Sequence, residues 1–164
     1  MLEADLNIFL RILIIAVLAG ALGWERESVG KSAGLRTHVL VGIAAVLFVV
    51  VGDLMVKKFS VYGELMRFDP ASLVGAVVTG ISFLGAGMIF FNSNNNRIKG
   101  LTTAAGILTT AAIGMIVGLE RYVLAVGSTI IVFIVLHFVA KFEERYLQAD
   151  GNNEQNKVND KERI

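Results

Sequence analysis

The chain alternates between long apolar runs and short polar breaks. Five runs stand out: Asn7–Trp24, His38–Val56, Ala71–Phe91, Leu101–Leu119 and Val123–Ala140. Each approaches the roughly 20 residues a helix needs to cross a hydrocarbon core of about 30 Å. Backbone groups in lipid need internal hydrogen-bond partners, so the runs predict helices. A single run of this kind could be a core helix of a soluble protein, but five in one short chain could not. The expected fold is an all-α membrane protein. A five-transmembrane-helix bundle fills residues 1–146, and residues 147–164 form a polar, disordered cytoplasmic tail. Ala19-Gly20-Ala21 resembles a signal-peptide cleavage site. However, Glu3 and Asp5 precede it where a basic segment is required, so the first run is read as a retained helix.

The polar breaks mark helix ends. Asp69-Pro70 reads as N-cap and first residue of the third helix, where the missing Pro N–H costs nothing. Arg36 or Thr37 opens the second helix, and Gly100 with Thr102-Thr103 opens the fourth. Asn92–Asn96 predicts a polar turn. Glu120, Arg121 and Tyr122 alone link the last two runs, which predicts an antiparallel pair. Gly34-Leu35-Arg36-Thr37 and Gly100-Leu101-Thr102-Thr103 form a short internal echo, as two pseudo-symmetric helical hairpins would produce.

Basic residues orient the bundle. With the N-terminus outside, the inner side holds Arg26, Lys31, Arg36, Arg97, Lys99, Lys141, Arg145, Lys157, Lys161 and Arg163. The outer side holds Lys57, Lys58, Arg67 and Arg121, with Arg11 close by. This bias predicts N-terminus out and C-terminus in the cytoplasm.

Small residues recur on the helix faces. Thr102, Gly106, Thr110, Gly114 and Gly118 are spaced by four and form a ridge along one side of the fourth helix. Lipid supplies no hydrophobic drive between helices, so such a surface favours close backbone approach. The ridge is read either as packing within one subunit, or as a homodimer interface or substrate path.

Composition narrows the chemistry. The chain is 55% hydrophobic and 18% charged, with no Cys. That excludes disulfides, zinc–thiolate sites, iron–sulfur clusters and a thiol nucleophile. A formal charge of +1 gives no case for nucleic acid. No hydrolase triad, phosphate loop or spaced metal-ligand set is visible, so an enzyme is not expected and no cofactor is implied. Ionisable groups inside the runs are few. Arg11 is expected to snorkel to the outer headgroups, Asp53 and His137 lie near helix ends, and His38 reads as a hydrogen-bonded interfacial residue. Glu25-Arg26-Glu27 ends the first run, where the helix dipole disfavours carboxylates. The expected partners of these acids are Lys31, Arg36, Arg97 or Lys99, in a charge network on the cytoplasmic face.

Four stretches together resemble the MgtC/SapB family of bacterial inner-membrane proteins. They are GALGWERE at 20–27, AGLRTHVLV at 33–41, DPASLVGAVVTGISFLGAGMI at 69–89 and IKGLTTAAGILTTAAIGMIVG at 98–118. The resemblance runs from about residue 6 to 140. It implies five transmembrane helices with a cytoplasmic C-terminus, and family-motif positions at Glu25, Arg26, Gly34, Arg36, Thr37, Asp69, Gly80, Gly85, Gly87, Gly100, Thr102 and Thr103. It also implies, for some members, a link to Mg²⁺ limitation and intracellular survival through the F-type ATP synthase, while the family is often labelled as Mg²⁺ transport. Ser82 stands where the family pattern usually has Gly, and a short polar tail follows the helices where virulence-linked members carry a soluble domain. The expected function is therefore Mg²⁺ homeostasis or membrane energetics, exerted through packing with itself as a homodimer or with a membrane partner. A small Mg²⁺ or solute transporter is the alternative, and a structural scaffold is a third reading.

Overall fold

A computed structural model describes residues 2–59, 69–92 and 97–139. It contains five α-helices: α1 (Leu2–Ser28), α2 (Leu35–Phe59), α3 (Pro70–Met88), α4 (Leu101–Gly118) and α5 (Tyr122–Ile134). A π-helical turn, Val135–Val139, prolongs α5. The first four helices are long and apolar enough to cross a membrane, while the fifth rod is shorter and equally apolar. Large side chains such as Phe83, Val123, Phe9 and Ile131 face outward. Exposure of this kind suits lipid rather than water.

Helix ends follow local chemistry. Asp69 caps α3 by accepting the Ala71 N–H at 2.9 Å, and Pro70 is the first helical residue. Gly100 caps α4 at φ 93, a backbone only glycine adopts readily. A Cβ there would also run into the Met88 carbonyl. The echoed motifs both start helices: His38 N–H donates to Gly34 O at 3.2 Å, and Ala104 N–H to Gly100 O at 2.9 Å. The third run is shorter than expected. α3 stops at Met88, and Phe90–Asn92 (β1) pairs antiparallel with Arg97–Lys99 (β2). The centre of the expected polar turn, residues 93–96, lies outside the described residues, as does the tail over 147–164.

The packing centre is α2, held between α1 and α4. Gly42 is closely approached from both sides. A Cβ on Gly42 would stand 2.8 Å from Ile15 Cγ1 of α1, and one on Gly114 of α4 would stand 2.6 Å from Gly42 O. One turn further, a Cβ on Gly118 would meet Val49 Cβ at 2.7 Å. The small-residue ridge thus packs inside one subunit. Gly106, Thr110, Gly114 and Gly118 are buried, whereas Thr102 is exposed and stands outside the seam. Thr110 Oγ1 donates to Gly106 O at 2.9 Å, which satisfies its hydroxyl within α4. Ile15, Ala19, Leu22, Val46, Val50, Ile113 and Val117 fill the rest of this core. α3 packs mainly on α4 and buries only Val77 and Gly85.

Arg11 does not reach for headgroups. Its Nη1 donates to Gly118 O at 2.9 Å, and its Nη2 pairs with Glu120. A cation thereby meets the carbonyl end of α4, where the helix dipole favours it.

Candidate functional site

The end of the bundle that carries Trp24 gathers most of the buried charge. α1 has 27 residues, about 40 Å at 1.5 Å per residue. It therefore outreaches the hydrocarbon core, and exposed Trp24 sits where an interfacial aromatic belt is expected. On the opposite side of the same turn, Gly23 lets α2 approach. A Cβ there would meet Leu35 Cα at 2.7 Å and Gly34 O at 3.0 Å.

Glu25 and Arg26 follow, 5% and 2% exposed. They pair with each other. Arg26 Nε and Nη2 donate to Glu25 Oε2 and Oε1, the second at 2.6 Å. Arg26 Nη2 also donates to Leu136 O at 2.9 Å, in the π-helical turn. One buried guanidinium thus neutralises a carboxylate and ties α1 to the α5 rod. His137, the next residue of that turn, holds its Nδ1 3.8 Å from Glu25 Oε1. Its ring stacks on Phe133, with centroids 6.0 Å apart.

Glu27 points elsewhere. Its Oε2 accepts the Leu35 N–H at 2.8 Å and caps α2. A Cβ on Gly34 would crowd that oxygen at 2.7 Å. His38 is fully buried: its Nδ1 donates to Gly34 O at 3.0 Å. Its Nε2 faces Gly106 of α4 and has no hydrogen-bond partner among the described residues. Thr103, one turn before Gly106, is also buried.

The expected network of Glu25 with Lys31, Arg36 or Lys99 does not form among the described residues, and the Arg97 side chain lies outside them. Glu25 and Arg26 turn inward. Glu27, Lys31, Arg36 and Thr37 instead border an open surface depression of about 320 Å³. The charge network expected from Glu25 to Arg36 is therefore divided between two separate surfaces. The physical reason is Arg26, which satisfies the carboxylate beside it and leaves the exposed cations to solvent.

The other motif positions scatter. Asp69 caps α3 at the opposite end of the bundle. Hydrogen bonds from the Ser72 hydroxyl and the Ala71 N–H hold its carboxyl below the usual carboxylate range. Gly85 packs on Ala104, whereas Cβ atoms on Gly80 and Gly87 would meet open space. Gly100 shapes the entry to α4. No group of three or more metal-ligating side chains occurs among the described residues. The sequence reading missed the Leu136 carbonyl and the Arg11–Glu120 pair. Its only available signal for the first was the Phe133–His137 spacing of four, which places both rings on one side of the α5 rod.

The chain is 41% identical over 131 residues to the Escherichia coli K12 protein named "Putative magnesium transporter YhiD", covering 77% of this chain and 58% of that one. It is 31% identical to Protein SapB of Bacillus subtilis, over 82% of this chain and 57% of that one. Protein MgtC of Brucella abortus is 35% identical, over 73% of this chain and 45% of that one. The chain thus spans only about half the length of these three relatives. No solved structure matches it. The sequence model of the MgtC family matches residues 12–145, a stretch that takes in α2, α3, α4, α5 and the Arg26–Leu136 tie. The chain is a multi-pass membrane protein and belongs to the MgtC family.

Proposed function

We propose that the protein serves Mg²⁺ homeostasis or membrane energetics in the bacterial inner membrane, and that it acts by packing against itself or against another membrane complex, such as the F-type ATP synthase. The observation that carries this reading is the seating of Gly114 on Gly42, with a Cβ position 2.6 Å from the opposing carbonyl. The ridge that could have lined a path is used to join α4 to α2. The surfaces left for action are the outward ones. On α3, Cβ atoms at Gly75, Gly80 and Gly87 would meet nothing within 4 Å. Such a face admits close approach of another helix, in a homodimer or a heteromeric complex. The connection to Mg²⁺ comes from the name of the relative YhiD. The charge bias supports a cytoplasmic C-terminus, which puts the Glu25–Arg26 centre on the cytoplasmic side.

Membrane potential and ATP level in low Mg²⁺, with and without the gene, test the proposal. A difference restored by the cloned gene is expected, and identical values count against it. The name of YhiD favours a second reading, movement of Mg²⁺ or another small solute. Flux of Mg²⁺ into liposomes that hold the wild-type protein, absent from protein-free liposomes, would establish that reading instead.

A further inference from the structure

A groove of about 640 Å³ runs between α1 and the α5 rod, lined by Gly20, Trp24, Glu25, Leu35, Phe133 and His137. It is apolar except at one end, where the Glu25 carboxylate and the His137 ring face each other. Their 3.8 Å separation is too long for a hydrogen bond. It is short enough for a strong charge interaction once the ring is protonated. His137 is 36% exposed and borders the groove. Phe133 stacks on its ring and Phe138 meets it edge-on at 5.4 Å, which fixes the ring toward Glu25.

Other charges around this ring are few among the described residues. From α1 it faces Glu25 and Arg26. From α2 the group coupled to that pair is buried His38, while Arg36 points to the surface depression. α4 carries no ionisable side chain, and Lys99 of β2 is exposed.

We propose that Glu25 and His137 form a proton-binding site at the mouth of this groove, and that its occupancy governs the Arg26–Leu136 tie between α1 and the π-helical turn. The proton comes from water at the exposed edge. The imidazolium then carries N–H on both nitrogens. Closing the contact by about 1 Å makes a charge-assisted hydrogen bond to Glu25 Oε1. That oxygen already accepts from Arg26 Nη2, the same nitrogen that holds Leu136 O. Sharing Oε1 loosens the guanidinium, and His137 drags its neighbour Leu136. The π-helical turn is the element that responds, since its backbone register differs from the α-helix before it. The site does not depend on whether the protein regulates or transports.

Trp24 is the single tryptophan of the chain and lines the same groove, so it reports on the site directly. The full chain in lipid nanodiscs is titrated between about pH 8 and 5, the range in which histidine changes charge. Trp24 fluorescence is followed together with amide exchange over residues 135–139, corrected for intrinsic rate. The wild type is expected to show a fluorescence transition with loss of amide protection. His137→Phe, which keeps the aromatic stack, should lose both. Glu25→Gln should keep the fluorescence response and lose the change in protection. A flat Trp24 signal in the wild type, a transition that survives in His137→Phe, or an unaltered protection change in Glu25→Gln would each overturn the proposal.

Discussion

Arg26 Nη2 donates to the carbonyl oxygen of Leu136 at 2.9 Å across 110 positions of sequence, while the same guanidinium neutralises Glu25. Removing the arginine alone leaves a carboxylate that is 5% exposed without its partner. Arg26→Met is therefore expected to destabilise the bundle by about 3–5 kcal/mol. The double variant Glu25→Gln with Arg26→Met should recover most of that loss, because no buried charge remains. Thermal unfolding in a mild detergent measures both. Equal losses in the single and double variants would show that the charge pair is not the relevant interaction.

The glycines of the bundle should separate into two classes. Gly114→Ala places a Cβ 2.6 Å from Gly42 O and 2.8 Å from Ala45 Cβ. Overpacking of this kind costs about 1–3 kcal/mol. Gly127→Ala meets nothing within 4 Å and should change stability by no more than about 0.5 kcal/mol. The unfolding midpoints of the two variants give the comparison.

At the opposite end of the bundle, Arg11 closes α4 through Gly118 O and Glu120. Arg11→Leu should cost about 0.3–1 kcal/mol, the usual value of a cation at a helix C-terminus. Exchange of the amides at 118–121 should quicken more than that of α2. An effect spread evenly over all helices would contradict this local capping role.

Asp69 gives a pH dependence of known sign. Its carboxyl is held below the ordinary value of 3.8 by the Ser72 hydroxyl first and the Ala71 N–H second. The cap is thus fully formed above about pH 4. Its contribution is lost as pH falls through the lowered value, where the carboxylate takes up a proton. Protection of the Ala71–Leu73 amides, taken relative to their intrinsic exchange rates, should fall at acid pH in the wild type. In Asp69→Ala it should be low at every pH.

Much of this structure was readable from length and spacing. Apolar runs of membrane-spanning length left helices as the only option, and Asp69-Pro70 marked the start of α3 because capping is a local matter. The spacing of four in α4 showed that a small-residue face exists. It could not show which surface meets it, because Gly42 and Gly114 come together only in the packed bundle. Arg11 was misread for the same reason: its partners lie at the far end of another helix. The Glu25–Arg26 pair was hidden by a sound rule. Adjacent helical residues do not face each other. The long arginine side chain nonetheless folds back on its neighbour because Leu136 O fixes its other edge. Phe90 and Phe91 of β1 continue the apolar run of α3 with no change of composition, so the sequence places the end of that helix too late.

The central claim is that the glycine and threonine ridge of α4 is a seam with α2 of the same chain. The protein has no native Cys, so cross-linking gives a direct measurement. The Cβ positions of Val49 and Gly118 stand 2.7 Å apart, so introduced cysteines reach the Cβ separation of a disulfide once the two helices part by about 1 Å. Under mild oxidation in membranes, Val49→Cys with Gly118→Cys should form an intrachain bond at monomer mass, and Gly118→Cys alone should form none. A dimer-mass product from the single variant, without intrachain bonding in the double variant, would contradict the account.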